Sequence, residues 1–175
     1  MKKMNRSVRS LCLAAMIAAL YLALTLLFQP ISFGAVQFRI SEAMTLLPAI
    51  FPEATIGLTL GCFLSNFLAG ANVYDVVFGT LATLLACLVT YKLRDIRVKG
   101  LAIPASLPPV VFNMIIVGAF EITFFFSDSA PTAAMAAFNA VTVGIGEVIS
   151  CTILGVALVK LIETNASLKK IFTEE

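Results

Sequence analysis

The chain of 175 residues contains no histidine and no tryptophan. Without histidine there is no imidazole-based catalytic triad, no histidine metal site and no imidazole proton relay. Cysteine is sparse, and Cys12, Cys62, Cys87 and Cys151 stand far apart within apolar stretches. No C-x-x-C pair occurs, so neither a zinc ribbon nor a dithiol redox motif is present, and the four read as small packing residues. No glycine is followed by lysine, which excludes the phosphate-binding loop G-x-x-x-x-G-K-[S/T]. ATP-driven work by this chain would therefore need a separate motor. Charged residues make up only 13%, against about 25% in a soluble domain. The acids are scattered singly without D-x-x-D spacing, which argues against a membrane-embedded enzyme with a metal held by clustered carboxylates, and no enzyme activity is expected.

What is abundant is apolar sequence: 60% of residues are hydrophobic and mean hydropathy is +1.01. This composition defines an all-α integral membrane protein, a single transmembrane domain over 1–175 with no soluble domain. A cleaved secretory signal is not expected, because the first apolar segment is long enough to span and lacks a small-residue cleavage site. Six segments fall at roughly 8–28, 38–51, 53–69, 73–91, 103–126 and 132–162. A helix needs about 20 residues to cross about 30 Å of hydrocarbon. The second segment is too short for that and must lie beside other protein or a thinned bilayer.

Positive charge supplies the topology. Lys2, Lys3, Arg6 and Arg9 form one cluster, Lys92, Arg94, Arg97 and Lys99 a second, and Lys160, Lys169 and Lys170 a third. Lys and Arg beside spanning segments mark the cytoplasmic side. All three clusters share one side only if the passes between them are even in number, which six helices satisfy and five do not. Both termini are then cytoplasmic, in a multi-pass cell-membrane protein. Dispersed at membrane borders and with a net charge of only +2, the clusters give no support for nucleic-acid binding.

Arg39 is the one cation outside the clusters, and several polar residues share its anomaly. An ionised side chain deep in a bilayer costs about 2.5–3.5 kcal/mol on insertion scales, so such groups face a cavity or a partner. Glu42 stands three residues after Arg39, on the same face of a helix. Such a pair is either structural or lines an outer mouth beside Gln37 and Ser41. Tyr74 and Asp75 open the fourth segment, where Asp75 either caps the helix dipole or meets a ligand. Asn66 on the third segment either bonds a neighbouring helix or joins the site. Asn113 and Glu121 on the fifth segment, and Asn139 and Glu147 on the sixth, stand eight residues apart, close enough around the helix to line one broad face. Glu147 has no cation within those two segments. It is protonated, bonded to Asn113, or paired with a cationic ligand. An excess of carboxyl groups over one Arg favours a ligand rich in N–H donors or cationic groups. Phe33, Phe38, Phe63, Phe67, Phe78, Phe112 and Phe120 either pack or stack on a flat ring. Ala14, Ala15, Ala18, Ala19 and Ala23 give overlapping small-xxx-small spacings on the first segment, which let another helix approach closely, within the bundle or from a second membrane protein.

Three blocks resemble the signature of the QueT family: Val36-Gln-Phe-Arg-Ile-Ser-Glu-Ala43 followed by Leu46-Leu-Pro48; Gly61-Cys-Phe-Leu-Ser-Asn66; and Val73-Tyr-Asp-Val-Val-Phe-Gly-Thr-Leu-Ala-Thr-Leu-Leu-Ala86. The resemblance implies a six-helix bundle like the substrate-binding S components of energy-coupling factor (ECF) transporters. It implies a queuosine precursor as ligand, 7-aminomethyl-7-deazaguanine, captured near the outer face, and no cofactor. It also implies an ECF transmembrane coupling protein and two ABC-type ATPases as partners, with the alanine pattern as docking motif. Two alternatives stand beside it: an S component for another vitamin or nucleobase, and a self-contained proton-coupled transporter using Glu121 or Glu147.

Overall fold

The computed structural model describes residues 6–32, 38–127 and 130–173. Lys2, Lys3, Phe33, Gln37 and Asp128 lie outside the described residues. Among the described residues every regular element is a helix and none is a strand; an isolated β-bridge joins Val98 and Leu101 in the connection after Lys92. The main helices are α1 (Arg6–Leu27), α2 (Ile40–Ala49), α3 (Ala54–Leu68), α4 (Asp75–Lys92), α5 (Ile103–Phe125), α6 (Ala133–Thr164) and a short amphipathic α7 (Ala166–Thr173); a single helical turn, Gln29–Ser32, follows α1. Four of them, α1, α4, α5 and α6, are long and apolar enough to cross a membrane. α3, with 15 residues, is shorter.

The predicted weak segment takes an unexpected form. α2 is a 3₁₀ helix of 10 residues, far longer than the three or four residues usual for that geometry. Pro48 lacks an N–H, and its ring displaces the carbonyl four residues back, so a regular α-helix is disfavoured there. The Thr45 hydroxyl also donates to the Glu42 carbonyl at 2.6 Å. From Ser41 to Ala49 every residue is buried, and α2 packs against α1, α3, α4, α5 and α6. The shortest segment is thus the axis of the bundle, walled from lipid by the longer helices. That burial explains how about 20 Å of 3₁₀ helix is accommodated.

Around α2, α1 packs on α3, α3 on α4, α4 on α5, and α5 on α6. The α1–α3 crossing is set by glycine. A Cβ on Gly57 would sit 2.3 Å from the Ala14 carbonyl oxygen, and one on Gly61 would sit 2.9 Å from Tyr21 Cβ. Ala14 and Ala18 are therefore buried inside the bundle, whereas Ala15, Ala19 and Ala23 are exposed on the opposite stripe of α1. The five alanines belong to two faces, and only three of them are free for an outside partner. Small residues at four-residue spacing serve both faces equally well.

The basic clusters meet at one end of the bundle. Arg9 donates to the carbonyls of Lys170 and Ile171 at 2.9 and 2.8 Å, and Arg97 pairs with Glu163 at 2.8 Å. We call this the basic end. Its interior is apolar, built from Ile17, Leu47, Phe51, Ala54, Leu58 and Ile162 in one cluster and Leu46, Ala102, Ala105, Val156 and Val159 in another. A cleft of about 340 Å³ opens there between Ala49, Ile50, Ile162, Glu163 and Lys169.

Candidate functional site: an acidic centre around Arg39

The opposite half of the bundle gathers the polar residues. Arg39 precedes α2 in extended backbone (φ −99°, ψ 103°), so helical spacing is not what brings it to Glu42. Its guanidinium is buried, donates from Nε to the Ser32 carbonyl at 3.3 Å, and lies within electrostatic range of Glu42, Asp75, Glu121 and Glu147. Four carboxyl groups from α2, α4, α5 and α6 thus share one buried guanidinium.

Each acid is held differently. Glu42, in the first turn of α2, accepts a very short hydrogen bond at Oε1 from the Tyr21 hydroxyl of α1. Beside it, the hydroxyls of Thr25 and Ser41 lie 2.7 Å apart, a second link between the same two helices. Glu147 on α6 accepts from Cys151 Sγ at 3.1 Å and faces Asn113 of α5. Cys151 Sγ is also 3.3 Å from the Glu42 carbonyl, so its single proton has two acceptors. Asp75 begins α4, and its backbone carbonyl accepts from Asn66 Nδ2 at 3.0 Å. Its carboxyl faces Glu121 of α5. Gly79 makes room for the convergence: a Cβ there would lie 3.0 Å from Asn66 Nδ2 and 3.7 Å from an Arg39 Nη.

Among the described residues, Glu42 Oε2, both oxygens of Glu121, Asn66 Oδ1 and Ser150 Oγ are buried without a hydrogen-bond partner. Asn113 Nδ2 is likewise buried without a partner, so one open amide donor stands beside these oxygens, and leaving each such group unpaired in a dry interior costs about 1–3 kcal/mol. Open oxygens thus outnumber open donors, which suits a ligand rich in N–H groups.

The helices are distorted where they carry these groups. Among the described residues three π-helical stretches occur, at Asp75–Gly79, Asn113–Ile122 and Val148–Gly155. The first opens on Asp75, the second contains Asn113 and Glu121, and the third follows Glu147 directly. Wide turns of this kind free backbone groups and re-aim side chains, and they concentrate at functional sites.

Seven of the nine residues predicted to bind ligand converge here: Arg39, Glu42, Asn66, Asp75, Asn113, Glu121 and Glu147, all buried. Asn139 does not join them. It is half-buried and donates to Thr123 Oγ1 at 3.0 Å, tying α6 to α5. Tyr74 is 38% exposed, and its ring stacks on Phe125 at 4.2 Å. That contact belongs to an aromatic cluster of Tyr74, Phe78, Phe120, Phe124 and Phe125 at the acidic end.

Sequence reasoning missed Tyr21, Ser150 and Cys151. Cys151 stands four residues after Glu147, on the same helix face, and Tyr21 is a phenol in mid-span that needs a partner. Both signals were legible only once Glu42 and Glu147 had been placed. Sequence reading had also named no metal ligands. The fold brings Glu42, Glu147 and Cys151 within 4.8 Å of one another, all buried, a donor set that positions 42, 147 and 151 conceal.

Apolar helices around an interior polar centre, with Leu11, Met16, Leu20 and Leu27 of α1 turned outward, define a multi-pass membrane protein. The family model described as QueT transporter matches residues 11–164, and the chain belongs to that family. A protein of Lactococcus lactis subsp. cremoris (strain MG1363) named Queuosine precursor transporter QueT is 42% identical over 72 residues, covering 40% of this chain and 42% of that relative. The match thus spans less than half of the relative's length. No solved structure matches the chain. Membership of a transporter family points away from catalysis.

Proposed function

We propose that this chain is the substrate-binding subunit of an ECF-type importer, and that it captures a queuosine precursor, 7-aminomethyl-7-deazaguanine, at the acidic centre. The carrying observation is the set of buried, unpartnered acceptors on Glu42, Glu121 and Asn66 around Arg39. A deazaguanine presents N–H donors on its pyrimidine edge, which carboxylates accept, and a ring carbonyl, which suits a guanidinium. Its aminomethyl group adds a cation to a centre with one guanidinium and four carboxyls. The name of the Lactococcus relative supports the same ligand class.

In this reading the chain crosses the cell membrane six times, α2 and α3 counting as passes. The basic end is cytoplasmic, with both termini inside, and the acidic end faces outward. The exposed stripe of Ala15, Ala19 and Ala23 docks the transmembrane coupling protein, and two ABC-type ATPases supply the energy that a chain without a phosphate-binding loop cannot.

The test is a calorimetric titration of the solubilised protein with 7-aminomethyl-7-deazaguanine, guanine, thiamine, riboflavin and folate. Saturable binding of the deazaguanine alone is expected, and preference for any other compound in the panel overturns the assignment. For docking, Ala19→Leu is expected to leave that titration unchanged while abolishing co-purification with the coupling protein. Import into liposomes holding this chain by itself, driven by a proton gradient, would instead establish a self-contained carrier.

A further inference from the structure

The four acids are not equivalent. Glu42 already accepts from Tyr21, and Glu147 from Cys151. Glu121 is fully buried, and among the described residues no N–H or hydroxyl donor reaches either of its oxygens. Across the α4–α5 crossing it meets another carboxyl at hydrogen-bonding range, that of Asp75, itself only 8% exposed. Two carboxyls facing each other in a largely dry interior repel unless a proton or a cation lies between them.

Aromatic rings on the same two helices, themselves partly exposed, cluster near this crossing in sequence. Phe78, three residues after Asp75 on α4, meets two rings of α5: Phe120 at 5.4 Å edge-on and Phe125 at 5.7 Å. Phe120 is Glu121's neighbour in sequence, and Phe125 follows it by one turn. Tyr74 completes the cluster through its stack on Phe125. Carboxylates combined with aromatic faces form the usual receptor for an alkylammonium: the acids accept its N–H bonds, and the rings attract its charge and exclude water.

We propose that Asp75 and Glu121, together with the neighbouring rings of Phe78, Phe120 and Phe125, form an ammonium subsite that selects ligands carrying a protonated primary amine. The proposal rests on the reading that the bundle binds a nitrogen-rich heterocycle, and it adds where the cationic arm goes and which residues set specificity. The ring system itself is left to Glu42, Asn66, Arg39 and Glu147. The subsite therefore discriminates between precursors that share a ring and differ in the charge of the substituent.

Two ligands separate the claims: 7-aminomethyl-7-deazaguanine, and its 7-hydroxymethyl analogue, similar in size but uncharged. The wild-type protein is expected to bind the amine about tenfold or more tightly than the alcohol. Glu121→Gln is expected to weaken the amine by about tenfold or more and the alcohol by less than about threefold, so that the preference collapses. If the wild type binds neither compound, the parent reading fails and the subsite with it. If it binds both and Glu121→Gln weakens them equally, or if the wild type shows no preference, the subsite is overturned while the heterocycle reading survives. Should Glu121→Gln not yield monodisperse protein, Asp75→Asn makes the same comparison, because the Asn66 bond goes to the backbone carbonyl of residue 75 and is retained. Its expected result is the same loss of preference, and an unchanged preference overturns the proposal.

Discussion

The two halves of this bundle are built on opposite principles. At the basic end the interior is apolar and closely packed around Leu47, Phe51, Ala54 and Leu58, while charges lie toward the surface, as in the Arg97–Glu163 pair. At the acidic end the charges lie inside, on four helices around Arg39, with acceptors left open on Glu42, Glu121 and Asn66. The first half holds the helices in register. The second keeps polar groups in a state that costs stability, the arrangement expected where a ligand is to be received. Irregular helix is found in both: the 3₁₀ turns of α2 supply Leu46 and Leu47 to the apolar core, while the π-helical stretches of α4, α5 and α6 contain or adjoin the acids.

Substitutions in the two halves should separate stability from affinity. The largest effect is expected from Gly57→Val, because even the first added carbon would meet the Ala14 carbonyl at 2.3 Å. Thermal unfolding in detergent should show a loss of about 3 kcal/mol or failure to fold, and an unchanged melting temperature would contradict the packing described. Glu42→Gln keeps an oxygen to accept from Tyr21 but removes the charge. Ligand affinity should fall by about 2 kcal/mol in a titration, with little change in unfolding of the empty protein. Tyr21→Phe acts on the same carboxyl from the α1 side and leaves Oε1 without its donor. It should lower stability by about 1–2 kcal/mol, and an effect below a few tenths would mean that the bond contributes little. The smallest change is expected from Arg97→Ala: its partly exposed pair with Glu163 should contribute only about 0.5 kcal/mol, with no change in ligand affinity. A large affinity loss there would erase the distinction between the halves.

Much of the layout was legible in the chain. The six segments expected from hydropathy fall within about two residues of helix ends at almost every boundary. The meeting of Arg9 with residues 170 and 171, and of Arg97 with Glu163, places the three basic clusters together. Seven of the nine expected site residues converge because a buried polar group in an apolar bundle has few places to go. The pattern failed where the period of a helix was assumed. Arg39 reaches the centre from extended backbone. Asn139, on the face expected to line a site, is engaged by Thr123 instead. The alanine pattern left packing within the bundle and docking of a second membrane protein open for all five residues, whereas a shift of one residue moves a side chain about 100° and sends Ala14 to α3 but leaves Ala15 exposed.

The chain by itself determined that it lives in a membrane, where its helices lie, which end is basic, and that its acids outnumber the cations available to them. These follow from composition and from the cost of leaving polar groups in hydrocarbon, both local properties of the sequence. Only the tertiary structure decided that the weakest segment is the central axis, that Tyr21 and Cys151 hold two of the acids, and that Asp75 and Glu121 face each other across two helices. Those outcomes depend on which helices cross and how closely, and that is set by contacts between residues far apart in the chain, such as Gly57 with Ala14 and Gly79 with Asn66.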